Sequence, residues 1–386
     1  MKLSRSLTLA TAIASSVVLA FAPSAQAAAT TITVGGATSV NTVVTSCVPT
    51  LPSTVTFTYD SQGSGTGKTN MENGKYDFAY SDSAHTASQS GAAIPASEIH
   101  IPGYVWPIGF EYNLNTSKKV SISALNLAKI FAGKIKMWND PLLVADNNRS
   151  VVVVNYRKDA AGKIVKDAKG NPTVLSTRTV INKVSLPAQP ITVIYRGDSS
   201  GTSQNLMNAF NQIDPTDWPT KGSQVFADYR KTEISADPIH FQSAQKSAGV
   251  AALAGKTKYS ITYAETNYAA TYALSLANVI NVHGDLVQPN ADAANGFIAS
   301  LKIDSATGVV TYDYQNANAG VYPYTVVTYA LALTKYGNAD KAAAVKAAID
   351  YLTFKCTKNN DYGFTTIDPT SPLGKIATAQ IAKLGA

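Results

Sequence analysis

Residues 195–203, Tyr-Arg-Gly-Asp-Ser-Ser-Gly-Thr-Ser, form a loop that could bind a small tetrahedral anion. Arg196 has a planar, permanently charged guanidinium that matches an oxyanion. Two hydroxyl donors and a glycine that allows close backbone approach complete the set: Ser200, Thr202 and Gly201. An apolar β-branched run precedes the loop and a helix-like run follows it, so the anion would meet a helix N-terminus. The alternative is an ordinary N-capped turn.

Three further loops carry groups that suit such a ligand: Thr38-Ser39, Ser64 and Asp82. A carboxylate repels an anion unless the anion carries a proton that it can donate. Asp82 would therefore select a protonated oxyanion over sulfate, which has no proton near neutral pH. Asp198 is expected to hold Arg196 as a paired fork. Taken singly, Asp82 is as well explained as a solvated loop or cap residue, and Ser64 as a turn residue.

The elements around these loops indicate an α/β fold. Residues 31–34, 55–59 and 76–80 each have a strand pattern and run into a polar loop. Successive units of this kind predict a parallel sheet, in which ligands bind beyond the carboxyl ends of the strands. Residues 105–114 and 324–333 predict further strands, and residues 123–131 and 342–354 predict helices.

Residues 147–186 form an excursion rich in Val, Lys, Asp and Gly. The turn signal Lys169-Gly170-Asn171-Pro172 predicts a β-hairpin within it.

The first 27 residues have the features of a cleaved signal peptide. Lys2 and Arg5 precede an apolar stretch, and Ala25-Gln26-Ala27 fits a cleavage site, so the mature chain is expected to begin at Ala28. Cleavage would lower the formal net charge from +7 to +5, which suits an anionic ligand and is equally well explained by solubility. The basic residues do not cluster as they would in a nucleic-acid-binding protein. No cysteine lies near the cleavage site, so a lipid anchor at a processed N-terminal cysteine is not expected. A periplasmic or secreted protein with two lobes is predicted.

The ordered set of motifs resembles the phosphate-binding protein family of phosphate-specific ABC importers. The resemblance rests on pieces that occur in the family's order along nearly all of the mature chain: Gly36-Ala37-Thr38, Gly63-Ser64-Gly65, Asp77-Phe78-Ala79-Tyr80-Ser81-Asp82, residues 127–138, residues 196–203, Tyr263-Ala264-Glu265 and residues 322–329. It implies a two-lobed type II periplasmic-binding-protein fold, with mixed sheets flanked by helices and a ligand cleft between the lobes.

The resemblance also implies a site and a division into lobes. The phosphate ligands would be Thr38, Ser39, Ser64, Asp82, Arg196, Asp198, Ser200, Gly201 and Thr202. Residues 28–107 and 327–386 would form lobe I, and residues 108–326 lobe II with the hairpin insertion. The family implies a monomer that binds inorganic phosphate, contacts permease subunits, uses no cofactor or metal and is not an enzyme. Ser39 departs from the family, which often has an aromatic residue there.

The two cysteines of this exported chain, Cys47 and Cys356, favour a disulfide over a metal site. The resemblance supports this pairing because it places the C-terminal helix on lobe I, which contains Cys47.

Several other interpretations compete with this one. Residues 63–69, Gly-Ser-Gly-Thr-Gly-Lys-Thr, resemble a nucleotide P-loop but are one residue short of its spacing. Arg196-Gly197-Asp198 is the tripeptide of some adhesion ligands. The four histidines, His85, His100, His240 and His283, lack metal-ligand spacing. The alternative function is a phosphate-binding relative with a secreted phosphatase, signalling or adhesion role.

Overall fold

The computed structural model describes residues 28–116, 118–160, 162–168, 172–181, 183–299, 301–315 and 318–385. The predicted signal peptide and residues 169–171 of the predicted turn lie outside these ranges. Among the helices of the described ranges, none is both long enough and apolar enough to cross a membrane.

Short strands and short helices alternate along most of the chain. The strands are β1 Thr30–Thr31, β2 Val34–Gly36, β3 Val55–Thr56, β4 Tyr59–Ser61, β5 Phe78–Ser81, β6 Glu98–Tyr112, β7 Ser121–Ser123, β8 Ser150–Tyr156, β9 Val174–Ile181, β10 Thr192–Arg196, β11 Phe241–Ala244, β12 Ser260–Glu265, β13 Ser275–Leu276, β14 Asn278–Ile280, β15 Leu286–Val287, β16 Lys302–Ile303, β17 Val310–Thr311 and β18 Thr325–Leu333. The α-helices are α1 Asn41–Cys47, α2 Ser64–Glu72, α3 Ala124–Phe131, α4 Pro141–Asp146, α5 Gly201–Ile213, α6 Phe226–Tyr229, α7 Lys231–Ala236, α8 Lys246–Lys256, α9 Asn267–Thr271, α10 Ala291–Ile298, α11 Ala339–Phe354 and α12 Pro372–Ala382.

One large mixed sheet organises the molecule, in the strand order β11-β10-β12-β6-β18-β5-β2-β4, with β13 also paired to β6. The long strand β6 is shared between two halves, since residues 98–107 pair with β18 and residues 108–112 pair with β12, both antiparallel. In one half β2 is parallel to β4 and β5, and in the other β10 is parallel to β11 and β12. This topology confirms the predicted α/β fold with mixed sheets and helices around them.

The residues 55–59, predicted as one strand, form parts of two strands. β3 pairs with β1 in a separate two-stranded sheet, whereas β4 pairs with β2 in the large sheet. Phe57 lies between them, buried with its ring edge against Phe78. Burial of this side chain therefore coincides with the point at which the chain changes its pairing partner.

Cys47 at the end of α1 and Cys356 beyond α11 form a disulfide, with 5.9 Å between their Cα atoms. This confirms the predicted bond. It joins segments 309 residues apart and ties α11 to the helix that follows the Thr38 loop. α11 also contacts β1, β3 and β6.

Within the excursion, β8 pairs antiparallel with β9. Isolated bridges join Lys158 to Ile164 and Lys166 to Pro172, so the chain between the two strands folds back on itself again. The excursion meets the body of the protein through a bridge between Val152 and Asp285. The lobe boundaries stay a prediction.

Candidate anion-binding site

The nine residues predicted to bind the ligand lie at one edge of the large sheet, beyond the carboxyl ends of parallel strands. Thr38 and Ser39 follow β2, Ser64 follows β4, and Asp82 follows β5 directly. The remaining four surround Arg196, the last residue of β10: Asp198, Ser200, Gly201 and Thr202. Except for the half-buried Asp198, all of these residues are buried. Parallel strands bring residues that are distant in sequence to this edge, because their carboxyl ends all face the same way.

Arg196 and Asp198 form a paired fork. Nε of Arg196 donates to Oδ1 of Asp198 at 2.7 Å, and Nη2 donates to Oδ2 at 2.5 Å. Burial alone would lower the pKa of Arg196, but the bonds and charge of Asp198 raise it overall. Burial would likewise raise the pKa of Asp198, but the bonds and charge of Arg196 lower it. The guanidinium is thus permanently charged and held in one orientation, as predicted from the sequence.

The N-terminus of α5 supplies donors beside this cation. Ser200 caps the helix, with its Oγ accepting from the backbone N–H of Ser203 at 3.2 Å. Its hydroxyl hydrogen therefore stays available for a ligand. A Cβ at Gly201 would lie 2.7 Å from Oγ of Ser64 and 3.0 Å from Cβ of Asp82, so any larger residue would force these groups to shift. The first turn of α5 can approach the Ser64 and Asp82 loops for this reason.

Asp82 is a buried carboxylate surrounded by hydroxyl groups. Its Oδ1 accepts from Oγ of Ser39 and Oγ1 of Thr328, both at 2.7 Å, and its Oδ2 accepts from Oγ1 of Thr202 at 2.9 Å. Burial raises the pKa of Asp82, against the opposite effects of these hydroxyls and of Arg196. A carboxylate has about four acceptor positions, so Oδ2 retains one for a further donor. The charged Arg196 and this acceptor together suit an anion that carries a proton.

Two hydroxyls that donate to Asp82 belong to residues that the resemblance implies are phosphate ligands, Ser39 and Thr202. The side chain of Ser39 donates to Asp82. The Thr202 hydroxyl also donates to Asp82. The backbone N–H of Thr202, in the first turn of α5, remains oriented as a helix N-terminal donor.

The sequence reasoning missed four residues that complete this network. Ser247 lies at the start of α8, and its Oγ is 3.0 Å from Oγ1 of Thr38. Nη1 of Arg196 donates to Oγ of Ser247 at 3.1 Å. The other three are Thr328, Tyr263 and Glu265. These three lie in motifs that carried the family resemblance, which was the available signal. Ser247 follows β11, whose sequence Phe-Gln-Ser-Ala is too short and too polar to predict a strand.

The P-loop-like residues 63–69 do not present their lysine as a P-loop does. Lys68 is 1 % exposed, and its Nζ donates to Oγ of Ser83 and to the carbonyl of Ala84, both at 2.9 Å. It therefore supports the chain that follows Asp82. Among residues 28–385, excluding the undescribed gaps, no group of three or more His, Cys, Asp or Glu residues could hold a metal ion.

An α/β fold with a candidate anion site at the carboxyl ends of its parallel strands is typical of solute-binding proteins, and comparison with known proteins agrees. A family model described as the PBP superfamily domain matches residues 22–355. This chain therefore belongs to the PBP superfamily, the periplasmic-binding-protein superfamily.

Particular relatives are phosphate-binding proteins. The chain is 27% identical over 302 residues to the phosphate-binding protein PstS 2 of Mycobacterium tuberculosis, covering 76% of this chain and 70% of that one. It is 26% identical over 335 residues to the phosphate-binding protein PstS 3 of Mycobacterium leprae, covering 84% and 78%. A solved structure of the high-affinity periplasmic phosphate-binding protein PfluDING, bound with phosphate, matches with a TM-score of 0.64 at 20% identity, covering 92% of this chain and 93% of that one. The structural match establishes the two-lobed α/β fold.

Proposed function

We propose that this chain is an exported solute-binding protein that captures inorganic phosphate between its lobes and delivers it to an ABC importer. The observation that carries the proposal is that one cluster of hydroxyls and helix N-terminal N–H groups contains both a fixed guanidinium, Arg196, and a buried carboxylate, Asp82. Arg196 and α5 attract the anion, while the free acceptor position on Asp82 Oδ2 accepts a hydrogen bond from a protonated phosphate oxygen. Sulfate would leave that carboxylate facing an unprotonated oxygen.

The phosphate ligands in this proposal are Thr38, Ser39, Ser64, Asp82, Arg196, Ser200, Gly201 and Thr202, with Asp198 holding Arg196 in place. Thr202 acts through its backbone N–H and, through its hydroxyl, holds Asp82. Thr38 and Ser64 lie on one side of the cleft, and Arg196 with the start of α5 on the other. Binding would draw the two sides together by a hinge motion of the lobes. The closed form is what permease subunits would recognise.

The same proposal includes a monomer, located in the periplasm or secreted, that is not an enzyme and binds no nucleic acid. Three histidines that could act as bases are bonded to groups outside the site: His85 to Glu72 and Glu98, His100 to the backbone of His85, and His240 to Asp237. An adhesion role for Arg196-Gly197-Asp198 is disfavoured because the two charged side chains are 2% and 10% exposed and bond to each other. The phosphate-binding proteins among its relatives support phosphate as the ligand.

Calorimetry with phosphate, arsenate and sulfate at neutral pH tests the proposal. We expect phosphate to bind and sulfate to bind weakly or not at all, since a buried polar mismatch can cost several orders of magnitude. Asp82→Asn should keep the fold and weaken the discrimination, because an amide can donate to either anion. Asp340→Asn, on the exposed first turn of α11, is the matched control and should change neither affinity.

Absence of phosphate binding in the folded protein would overturn the proposed function. Equal affinity for sulfate and phosphate would overturn only the role of Asp82. Phosphate-monoester hydrolysis that persisted through purification and vanished in Arg196→Ala would favour the phosphatase alternative.

A further inference from the structure

Glu265 is a buried carboxyl group beside the proposed anion site. It is the last residue of β12 and is 1% exposed. Its Oε1 accepts from Oγ of Ser247 at 3.2 Å, and its Oε2 has no hydrogen-bond partner among the described residues. Burial, followed by the charge of Asp82, raises its pKa to about 7, against the opposite effect of Arg196. Both protonation states are therefore populated near neutral pH.

The titratable groups around Glu265 come from several elements. Asp82 follows β5, Arg196 ends β10, Glu111 lies on β6 and Tyr268 lies on α9. Burial, followed by the charge of Glu265, raises the pKa of Glu111 well above its usual range. Burial, followed by the charge of Glu265, also raises the pKa of Tyr268. Glu265 is the carboxyl group of this set that contacts Ser247, and its pKa of about 7 places its change of charge near neutral pH.

Ser247 connects Glu265 to Thr38. A serine hydroxyl has one hydrogen to donate and two lone pairs that accept. Arg196 can only donate, so its Nη1 fills one lone pair of Ser247 Oγ at 3.1 Å. The remaining neighbours of this oxygen are Oε1 of Glu265 at 3.2 Å and Oγ1 of Thr38 at 3.0 Å. One of them must accept the hydrogen of Ser247 and the other must donate to it.

The charge of Glu265 decides the direction in which the hydrogen bonds from Glu265 through Ser247 to Thr38 run. An ionised carboxylate cannot donate, so Ser247 gives its hydrogen to Glu265, and Thr38 must then give its own to Ser247. A protonated Glu265 donates to Ser247, and Ser247 then donates to Thr38. In that state Oγ1 of Thr38 accepts from both the hydroxyl and the backbone N–H of Ser247, the latter at 3.3 Å, and its own hydrogen is free for a ligand.

We propose that Glu265 is a positioning residue that reverses the hydrogen-bond chain Glu265–Ser247–Thr38, and that phosphate binds to the form in which Thr38 donates its hydroxyl hydrogen to the anion. The inference rests on the proposed function, since it concerns how the same site takes phosphate. Above the pKa of Glu265 the protein must take up a proton before this donor is available. Because phosphate binding then requires Glu265 to take up a proton, phosphate affinity falls by up to about tenfold for each pH unit above the pKa of Glu265.

Glu265→Gln separates this effect from the titration of phosphate itself. The amide of Gln can donate to Ser247 but does not titrate, so it maintains the donating direction at every pH. The affinity of each protein for phosphate is measured by calorimetry from pH 6 to 9. The ratio of the two dissociation constants, wild type over Glu265→Gln, cancels the protonation of phosphate. We expect a ratio near one at pH 6 that rises to at least about tenfold at pH 9.

Ser247→Ala tests whether the effect travels through the hydroxyl. In that background the additional Glu265→Gln change should give a ratio that varies much less with pH, because the chain is broken. An undiminished pH-dependent ratio would mean that Glu265 acts through space by its charge, and would overturn the relay. Glu233→Gln, a half-exposed residue of α7 paired with Arg230, is the matched control and should track the wild type.

Carbon-13 NMR of the carboxyl groups in the wild-type protein gives a readout that needs no folded variant. We expect the pKa of Glu265 to rise by at least about one unit when phosphate is bound. An unchanged pKa, or a flat ratio of dissociation constants in a protein that binds phosphate, would overturn this inference and leave the proposed function intact. Absence of phosphate binding at every pH would overturn the proposed function.

Discussion

Two loops of this protein have similar compositions and opposite uses. The first loop, residues 62–68, and the second loop, residues 196–202, both contain glycine, serine and threonine, and each includes the start of the helix that follows it, α2 or α5. Each also carries one buried cation, Lys68 at 1% and Arg196 at 2% exposure. By composition alone, the first loop would be expected to bind an anion as readily as the second loop.

The partners of the two cations explain the difference. Arg196 is bonded to a carboxylate by two parallel hydrogen bonds, which keep it charged and fix its plane. Lys68 donates to a hydroxyl and a carbonyl, and burial lowers its pKa to about 8, against the opposite effects of Glu98, Asp82 and Glu72. A buried lysine keeps its ordinary pKa only where nearby carboxylates compensate its desolvation in full, whereas an arginine stays charged in any protein environment. Lys68 therefore stabilises the chain after Asp82, while Arg196 is available to a ligand.

Arg196→Ala is expected to have the largest effect on this comparison. It removes the cation and leaves Asp198 without its partner, and loss of one member of a buried charge pair costs about 2–5 kcal/mol. Phosphate affinity should fall on the order of 10²- to 10³-fold in calorimetry. Arg178→Ala, on the exposed strand β9, is the matched control. A loss of less than tenfold would show that the second loop is not the principal cationic contact.

Removing the disulfide tests whether the difference between the loops is local. Cys47→Ser with Cys356→Ser should lower the free energy of unfolding by about 2–5 kcal/mol, because the bond closes a loop that spans most of the chain. Chemical denaturation measures this. The phosphate affinity of the folded protein should stay within about threefold of wild type, since both loops keep their own hydrogen-bond partners. A large loss of affinity would mean that α11 positions the site.

Gly201→Ala tests the close approach of the two loops. A Cβ there would lie 2.7 Å from Oγ of Ser64 and 3.0 Å from the backbone nitrogen of Ser83, and overpacking of this kind costs about 1–3 kcal/mol. We expect phosphate affinity to fall about 10- to 100-fold. Gly249→Ala in α8, where the nearest atom would lie at 3.6 Å, serves as the control. Unchanged affinity in Gly201→Ala would contradict the packing of α5 against the Ser64 loop.

The pH dependence of stability gives the smallest change at each step of the measurement, and the effect is specific to Lys68. The pKa of Lys68 is about 8 in the folded protein and 10.5 ordinarily, so the folded state binds fewer protons between these values. The cost of burying the charged lysine is thus present in full below pH 8 and disappears as pH rises toward 10.5. The unfolding free energy of wild type minus that of Lys68→Met should increase by up to about 1.4 kcal/mol per pH unit over this range. Denaturant titrations from pH 7 to 10.5 measure the slope, and a flat difference would show that Lys68 is already neutral or fully charged throughout.

Much of the fold was accessible from local patterns. Local patterns predicted β5, β18 and the later part of β6, because strand alternation and turn chemistry act over a few neighbouring residues. The predicted strand at residues 31–34 covers only the end of β1 and the first residue of β2. Short polar elements were not accessible: β11 contains one large apolar residue, and its strand character comes from pairing with β10. The site residue that follows it, Ser247, was missed for that reason.

The amino-acid sequence by itself determined the fold class, the disulfide and the residues offered as ligands, since these follow from residue type, order and family motifs. Only the tertiary structure decided which hydroxyl faces which acceptor. Ser39, Thr202 and Thr328 all donate to Asp82, although they come from three different segments. The same holds for Lys68 and Glu265, whose roles depend on burial and on the charges that the fold places near them. Desolvation and hydrogen-bond direction are properties of an assembled environment, and no run of neighbouring residues specifies them.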